Sequence, residues 1–68
     1  PEFKLNNSEF IPLNDLLKVR RLVGTGGEAN ARISAGEAQV NGDVEYRKRR
    51  KLRTGDVVFF AGEEIVIR

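Results

Sequence analysis

The chain has 68 residues, enough for one domain that buries only roughly 60% of the surface its unfolded form exposes. With no Cys and no His, disulfides and ordinary zinc sites are excluded, and any catalysis would rest on carboxylates, lysines or hydroxyls in a cleft that so small a core can hardly enclose. Twelve cationic against ten acidic residues give a formal net charge of +2, and the longest apolar run, Val57 to Ala61, falls far short of the roughly 20 residues that span a bilayer. The expectation is a cytoplasmic, noncatalytic binding module with no membrane segment, no cofactor, no metal and no small-molecule substrate.

Glu2 to Leu5 alternates polar and apolar residues, with Phe3 and Leu5 on one side, as in a short half-buried strand. Asn6, Asn7 and Ser8 break it. From Pro12 to Val23 the period becomes helical: Leu13, Leu16, Leu17, Arg20 and Val23 fall three and four apart, and Pro12 suits the first helical position. Asp15 near the start and Lys18, Arg20 and Arg21 near the end match the helix dipole, which competes with a ligand-binding role for those cations.

Gly24 is expected to close this helix in a left-handed conformation. A second helix then starts with a capping box, in which Thr25 accepts from the Glu28 N–H and the Glu28 carboxylate returns to the N–H of Thr25. Ala29 and Ile33 give that helix an apolar face, Arg32 stands at the border of the face, and Gly36 ends it. The glycines at 24, 26 and 27 resemble a phosphate loop only weakly, because no Gly-Lys-Ser or Gly-Lys-Thr follows and no long strand precedes.

After Gly36 the period becomes two. Ala38 and Val40 alternate with Glu37 and Gln39, the Asn41-Gly42 pair signals a tight hairpin, and Asp43 to Tyr46 forms the returning strand. A basic strand follows, with Leu52 as its core anchor. Thr54, Gly55 and Asp56 turn the chain into Val57 to Phe60, and Ala61 to Glu64 turns it into Ile65 to Ile67. Which of the pairs Val57 with Phe59 or Val58 with Phe60 faces inward is left open by their apolar run.

The basic segment is the most distinctive feature. Arg47, Lys48, Arg49, Arg50, Lys51 and Arg53 hold half of the chain's cations within seven residues, so the remainder of the molecule is acidic. Such bipolarity is an electrostatic footprint for phosphate. Lys and Arg can also protect a sheet edge from aggregation, but six together exceed that need. Tyr46 abuts the cations, where its ring could stack on a base or simply pack.

Taken together, Leu13 and Leu17, the Thr25 to Ala29 helix opening, Ile33, Gly36, Val40-Asn41-Gly42 and Gly55-Asp56 resemble the RNA-binding domain first described in small-subunit ribosomal protein S-four, the alpha-L motif. The whole chain is similar to its small standalone YbcJ-like members. The resemblance implies an α+β fold in which two short helices, in a helix-turn-helix arrangement, pack on a small, mainly antiparallel sheet. It divides residues 1–68 into an N-terminal strand and loop (1–11), the motif core (12–56) and a C-terminal hairpin (57–68). It also implies a cationic RNA-binding face at the end of the first helix, the start of the second and the strand after the Asn-Gly turn. Many relatives carry arginines where Gly26, Gly27 and Pro12 stand here, which shifts the expected contacts to Arg47 through Arg53, flanked by Lys18, Arg20, Arg21, Arg32 and Tyr46. The implied partner is structured RNA such as ribosomal RNA, bound by a monomer. The alternative is a protein-docking adaptor that offers its basic strand and sheet edge to an acidic partner.

Overall fold

A computed structural model describes residues 1–68. Strand β1 (Glu2–Phe3) leads through a loop to β2 (Ile11–Pro12) and the helix pair α1 (Leu13–Val19) and α2 (Gly26–Ser34). Then come β3 (Ala38–Val40), β4 (Asp43–Val44), β5 (Lys51–Leu52), β6 (Val57–Phe60) and β7 (Glu63–Ile67). Five strands form one sheet in the order β1-β7-β6-β3-β4, antiparallel throughout except for the parallel β1–β7 pair. The expected α+β arrangement is present.

Register decides what the apolar run of β6 left open. Val58 pairs with Val40 and Ile65, and Phe60 with Ala38, so these side chains share the inner face and are fully or almost fully buried. Phe59 pairs with Gln39 and Glu64 on the outer face and stays exposed. Leu13, Leu16 and Leu17 from α1, Ala29 and Ile33 from α2, and Leu52 from β5 complete one core. Full burial of each large apolar side chain contributes roughly 1.5–3 kcal/mol before conformational entropy is charged against it.

The helix ends depart from expectation in two places. α1 stops at Val19 rather than Val23, and the left-handed residue that ends it is Arg21 (φ 58°), not Gly24. The Arg21 N–H donates to the Lys18 carbonyl and the Leu22 N–H to the Leu17 carbonyl, the paired bonds of a Schellman turn. Leu22 packing against the core favours that turn although its left-handed position holds a side chain. Pro12 is the N-cap of α1 rather than its first helical residue, so the helix starts one residue later than expected.

α2 opens with Thr25 Oγ1 accepting from the Glu28 N–H at 3.1 Å, as expected. The Glu28 carboxylate reaches one residue further back than a capping box requires, accepting from the Gly24 N–H at 2.8 Å. Gly24 is therefore held at a helix entrance. Gly36 (φ 82°) does close α2, with its own N–H bound to Ile33 and that of Glu37 to Arg32. Asn14 Nδ2 donates to Asn30 Oδ1 at 3.0 Å, a polar tie between the helices.

At the hairpin, Asn41 (φ 53°) and Gly42 (φ 90°) take the two left-handed positions of a type I′ turn. Asn41 also donates to Asp56 at 3.0 Å and accepts from the Val57 N–H at 2.9 Å. Asp56 in turn accepts from the Arg53 N–H at 2.8 Å. These bonds connect the first hairpin to the end of the basic segment. No helix is long and apolar enough to cross a membrane.

Candidate nucleic-acid interface

Only Lys51 and Leu52 of the basic segment are strand; Arg47 to Arg50 form a turn, which corrects the expected basic strand. The returning strand is likewise shorter than expected, β4 ending at Val44. The cause lies at the start of α1. Its N-cap, Pro12, supplies no side-chain acceptor, and the N–H groups of Leu13 and Asn14 instead donate to the carbonyls of Arg50 and Lys48, each at 2.9 Å. Carbonyls aimed at the positive end of a helix satisfy otherwise orphaned donors. With its backbone oxygens turned inward and Leu52 fully buried, the segment presents its cationic side chains outward.

A buried acid organises the turn. Glu45 is 7% exposed, and its carboxylate accepts from the Arg47 N–H (2.9 Å), Arg47 Nε (3.0 Å), Arg47 Nη2 (3.0 Å) and Arg50 Nη1 (2.8 Å). The Arg47 hydrogen bond is the largest influence on its ionisation; burial opposes it, Arg50 assists, and the pKa falls from 4.5 to about 2. Burial also works against the charge on Asp56, but the Arg53 N–H, the Asn41 amide and the nearby Arg50 and Arg53 charges prevail and hold its carboxyl low. Sequence reasoning missed Glu45. Its signal was an acid placed directly before the run of six cations, with only Tyr46 between.

Arg47 and Arg50 are thus held by a carboxylate, whereas Lys48, Arg49, Lys51 and Arg53 make no ion pair. Arg47, Arg49, Arg50 and Lys51 alone line an open depression. Lys51 and Arg53 flank the ring of Phe10, their cationic groups 5.0 and 5.5 Å from its centroid. Two carboxylates, Glu45 and Asp56, against six cations leave the segment net positive, a surface able to hold phosphates through the cations that make no ion pair.

The helix-borne cations are arranged differently. Arg32 pairs with Glu37 at 2.8 Å and with Glu28 at 3.6 Å while its guanidinium lies 4.6 Å from the centre of the Phe60 ring. It covers the core and spends its charge internally. Lys18 and Arg21 are exposed at the C-terminal end of α1, the opposite end from the turn, and Arg20 is half-buried with its Nε unpartnered. A seven-residue helix separates its ends by roughly 10 Å. Tyr46 is exposed, and its ring lies against Gly36, where a Cβ would stand 3.2 Å from the Tyr46 Cε1.

Comparison with known proteins agrees with this architecture. The family model described as the S4 domain matches residues 3–68. The chain is 37% identical over 65 residues to the Escherichia coli protein named "Putative RNA-binding protein YbcJ", covering 96% of this chain and 93% of that one. It is 38% identical over 56 residues to the Bacillus subtilis protein named "Probable ribosome maturation protein RlbA", covering 82% of this chain and 79% of that one. The solution structure of Escherichia coli YbcJ, described as revealing an alpha-L motif involved in RNA-binding, superposes with a TM-score of 0.72 at 36% identity, covering 97% of this chain and 84% of that structure. With its helix pair on a mainly antiparallel sheet and its alpha-L motif, this chain belongs to the S4 domain family.

Proposed function

We propose that this protein is a noncatalytic, cytoplasmic RNA-binding module that grips the phosphates of a structured RNA, ribosomal RNA being the favoured class, through the basic segment from Arg47 to Arg53. The reading is supported by family membership, by the RNA-binding name of YbcJ and by the ribosome-maturation name of RlbA. The observation that carries it is the set of four unpaired cations on a turn and short strand whose backbone and two remaining arginines are fixed from within. Lys and Arg on a preset backbone position RNA through phosphate and sugar, with little direct reading of base edges. Lys18 and Arg21 extend the contact only if the RNA reaches past the length of α1. Like charges on the turn repel a second copy, which favours a monomer.

The test is a titration of a folded RNA hairpin, followed by fluorescence anisotropy at several salt concentrations. Neutralising about four or five phosphates gives a slope of log affinity against log salt of roughly −3 to −4. A flat response would overturn the reading.

A further inference from the structure

Of the three aromatic residues outside the core, Phe10, Tyr46 and Phe59, Phe10 alone has cationic groups against its ring. Its neighbour Ile11 packs against the core and pairs in register with the fully buried Leu52. By strand alternation Phe10 therefore lies on the opposite, outward side together with Lys51 and Arg53. The ring is half-buried and outside the core cluster, and neither of the two side chains that flank it makes an ion pair. Lys51 also lines the depression beside Arg47, Arg49 and Arg50, and so joins the ring to that cationic surface.

We propose that Phe10 is a stacking platform for one unpaired nucleobase, with Lys51 and Arg53 holding the phosphates on either side of that nucleotide. The inference rests on the RNA-binding reading and deepens it. Bases inside a duplex already stack on their neighbours, whereas an unpaired base leaves its face free for an aromatic ring. Both cations are exposed and can turn from the ring to phosphate as the base arrives. The face is thereby selective for a helical RNA that carries an unpaired nucleotide beside its stem.

The test compares a blunt RNA duplex with the same duplex carrying a short single-stranded overhang, each titrated at several salt concentrations. The native protein binds the overhang RNA more tightly. Phe10→Ala and Phe10→Leu lose about 5- to 100-fold on the overhang RNA, with duplex affinity and salt slope unchanged. Leu keeps the apolar bulk, so it separates stacking from packing. Phe10→Trp retains the preference and, in a chain with no other Trp, reports stacking as quenched emission on adding the overhang RNA. Equal losses on both RNAs, full overhang affinity in Phe10→Leu, or unquenched Trp emission would each overturn the platform. If the native protein binds both RNAs with steep salt dependence while Phe10→Leu matches it, only the platform falls. If it binds neither, the RNA-binding reading falls with it.

Discussion

The basic segment from Arg47 to Arg53 and the end of α1 with α2 both looked cationic, but they present their charge in different ways. On the turn, one buried carboxylate and two helix N–H groups absorb the backbone and two arginines, which frees Lys48, Arg49, Lys51 and Arg53. On α2, Arg32 is bracketed by Glu28 and Glu37 and laid over Phe60. A count of basic residues therefore overstates what α2 offers, although Lys18 and Arg21 at the end of α1 stay exposed and unpaired, and it hides how the basic segment is organised. What matters for a polyanion is charge that is exposed, unpaired and held by a fixed backbone.

The largest effect should come from removing that free charge. Replacing Lys48, Arg49 and Lys51 together by Ala is expected to weaken hairpin binding on the order of 100-fold and to flatten the salt slope by about two to three. Thermal stability should hardly change, because these side chains make no internal ion pair. Equal affinity in the triple variant would break the comparison.

Glu45→Gln sharpens it further, since charge and organisation then predict opposite signs. A pure charge account has the loss of an anion tightening RNA binding. If Glu45 positions the turn, the variant binds more weakly, by about 3- to 10-fold, and loses about 1–3 kcal/mol of stability as two arginines lose their charged acceptor and one of its two oxygens. For a chain of this size that lowers the melting temperature by about 4–8 °C per kcal/mol. Because the folded pKa of Glu45 lies below its ordinary value, its contribution is present above pH 4.5 and disappears as the pH falls toward about 2. Acid titration of stability by circular dichroism should show that loss in the native protein and a smaller one in Glu45→Gln.

Smaller effects test the helix ends. Gly36→Ala should cost about 1–2 kcal/mol, from a left-handed backbone at φ 82° and a Cβ only 3.2 Å from Tyr46. Arg21→Gly should instead add about 0.5–1 kcal/mol, because Arg21 holds the same kind of position at φ 58°. Chemical denaturation of both variants reads the difference in sign. The smallest effect is expected from Arg32→Ala, with RNA affinity changed less than about 2-fold while stability falls as Phe60 loses its cover. A large affinity loss there, without loss of stability, would return Arg32 to the RNA face.

Much of the fold was legible because it depends on local periodicity and turn chemistry. The alternation through Ala38 and Val40, the Asn41-Gly42 turn and Thr25 capping α2 each have a short-range cause, and each appears where expected. The end of α1 was not legible: Leu22 docking on the core imposed a left-handed Arg21, a tertiary demand that outweighed the preference for Gly24. The core-facing pair in β6 needed register, which an unbroken apolar run does not encode. At the site, the cationic segment was obvious, whereas its arrangement was not. The bonds from Leu13 and Asn14 to Arg50 and Lys48 cross more than thirty residues of sequence, and Glu45 becomes an organiser only once its burial is seen. Phe10 likewise gains meaning from Lys51 and Arg53, distant in sequence and adjacent across the short β2–β5 ladder.

Amide chemical-shift mapping of the isotopically labelled protein during titration with a folded RNA hairpin tests the central claim most directly. Shifts concentrated from Arg47 to Arg53 and around Phe10, with Arg32 and the outer sheet residues Gln39, Phe59 and Glu64 left nearly still, are the predicted result. Strongest shifts on the outer sheet face, or on α2 around Arg32 with the turn unmoved, would contradict it.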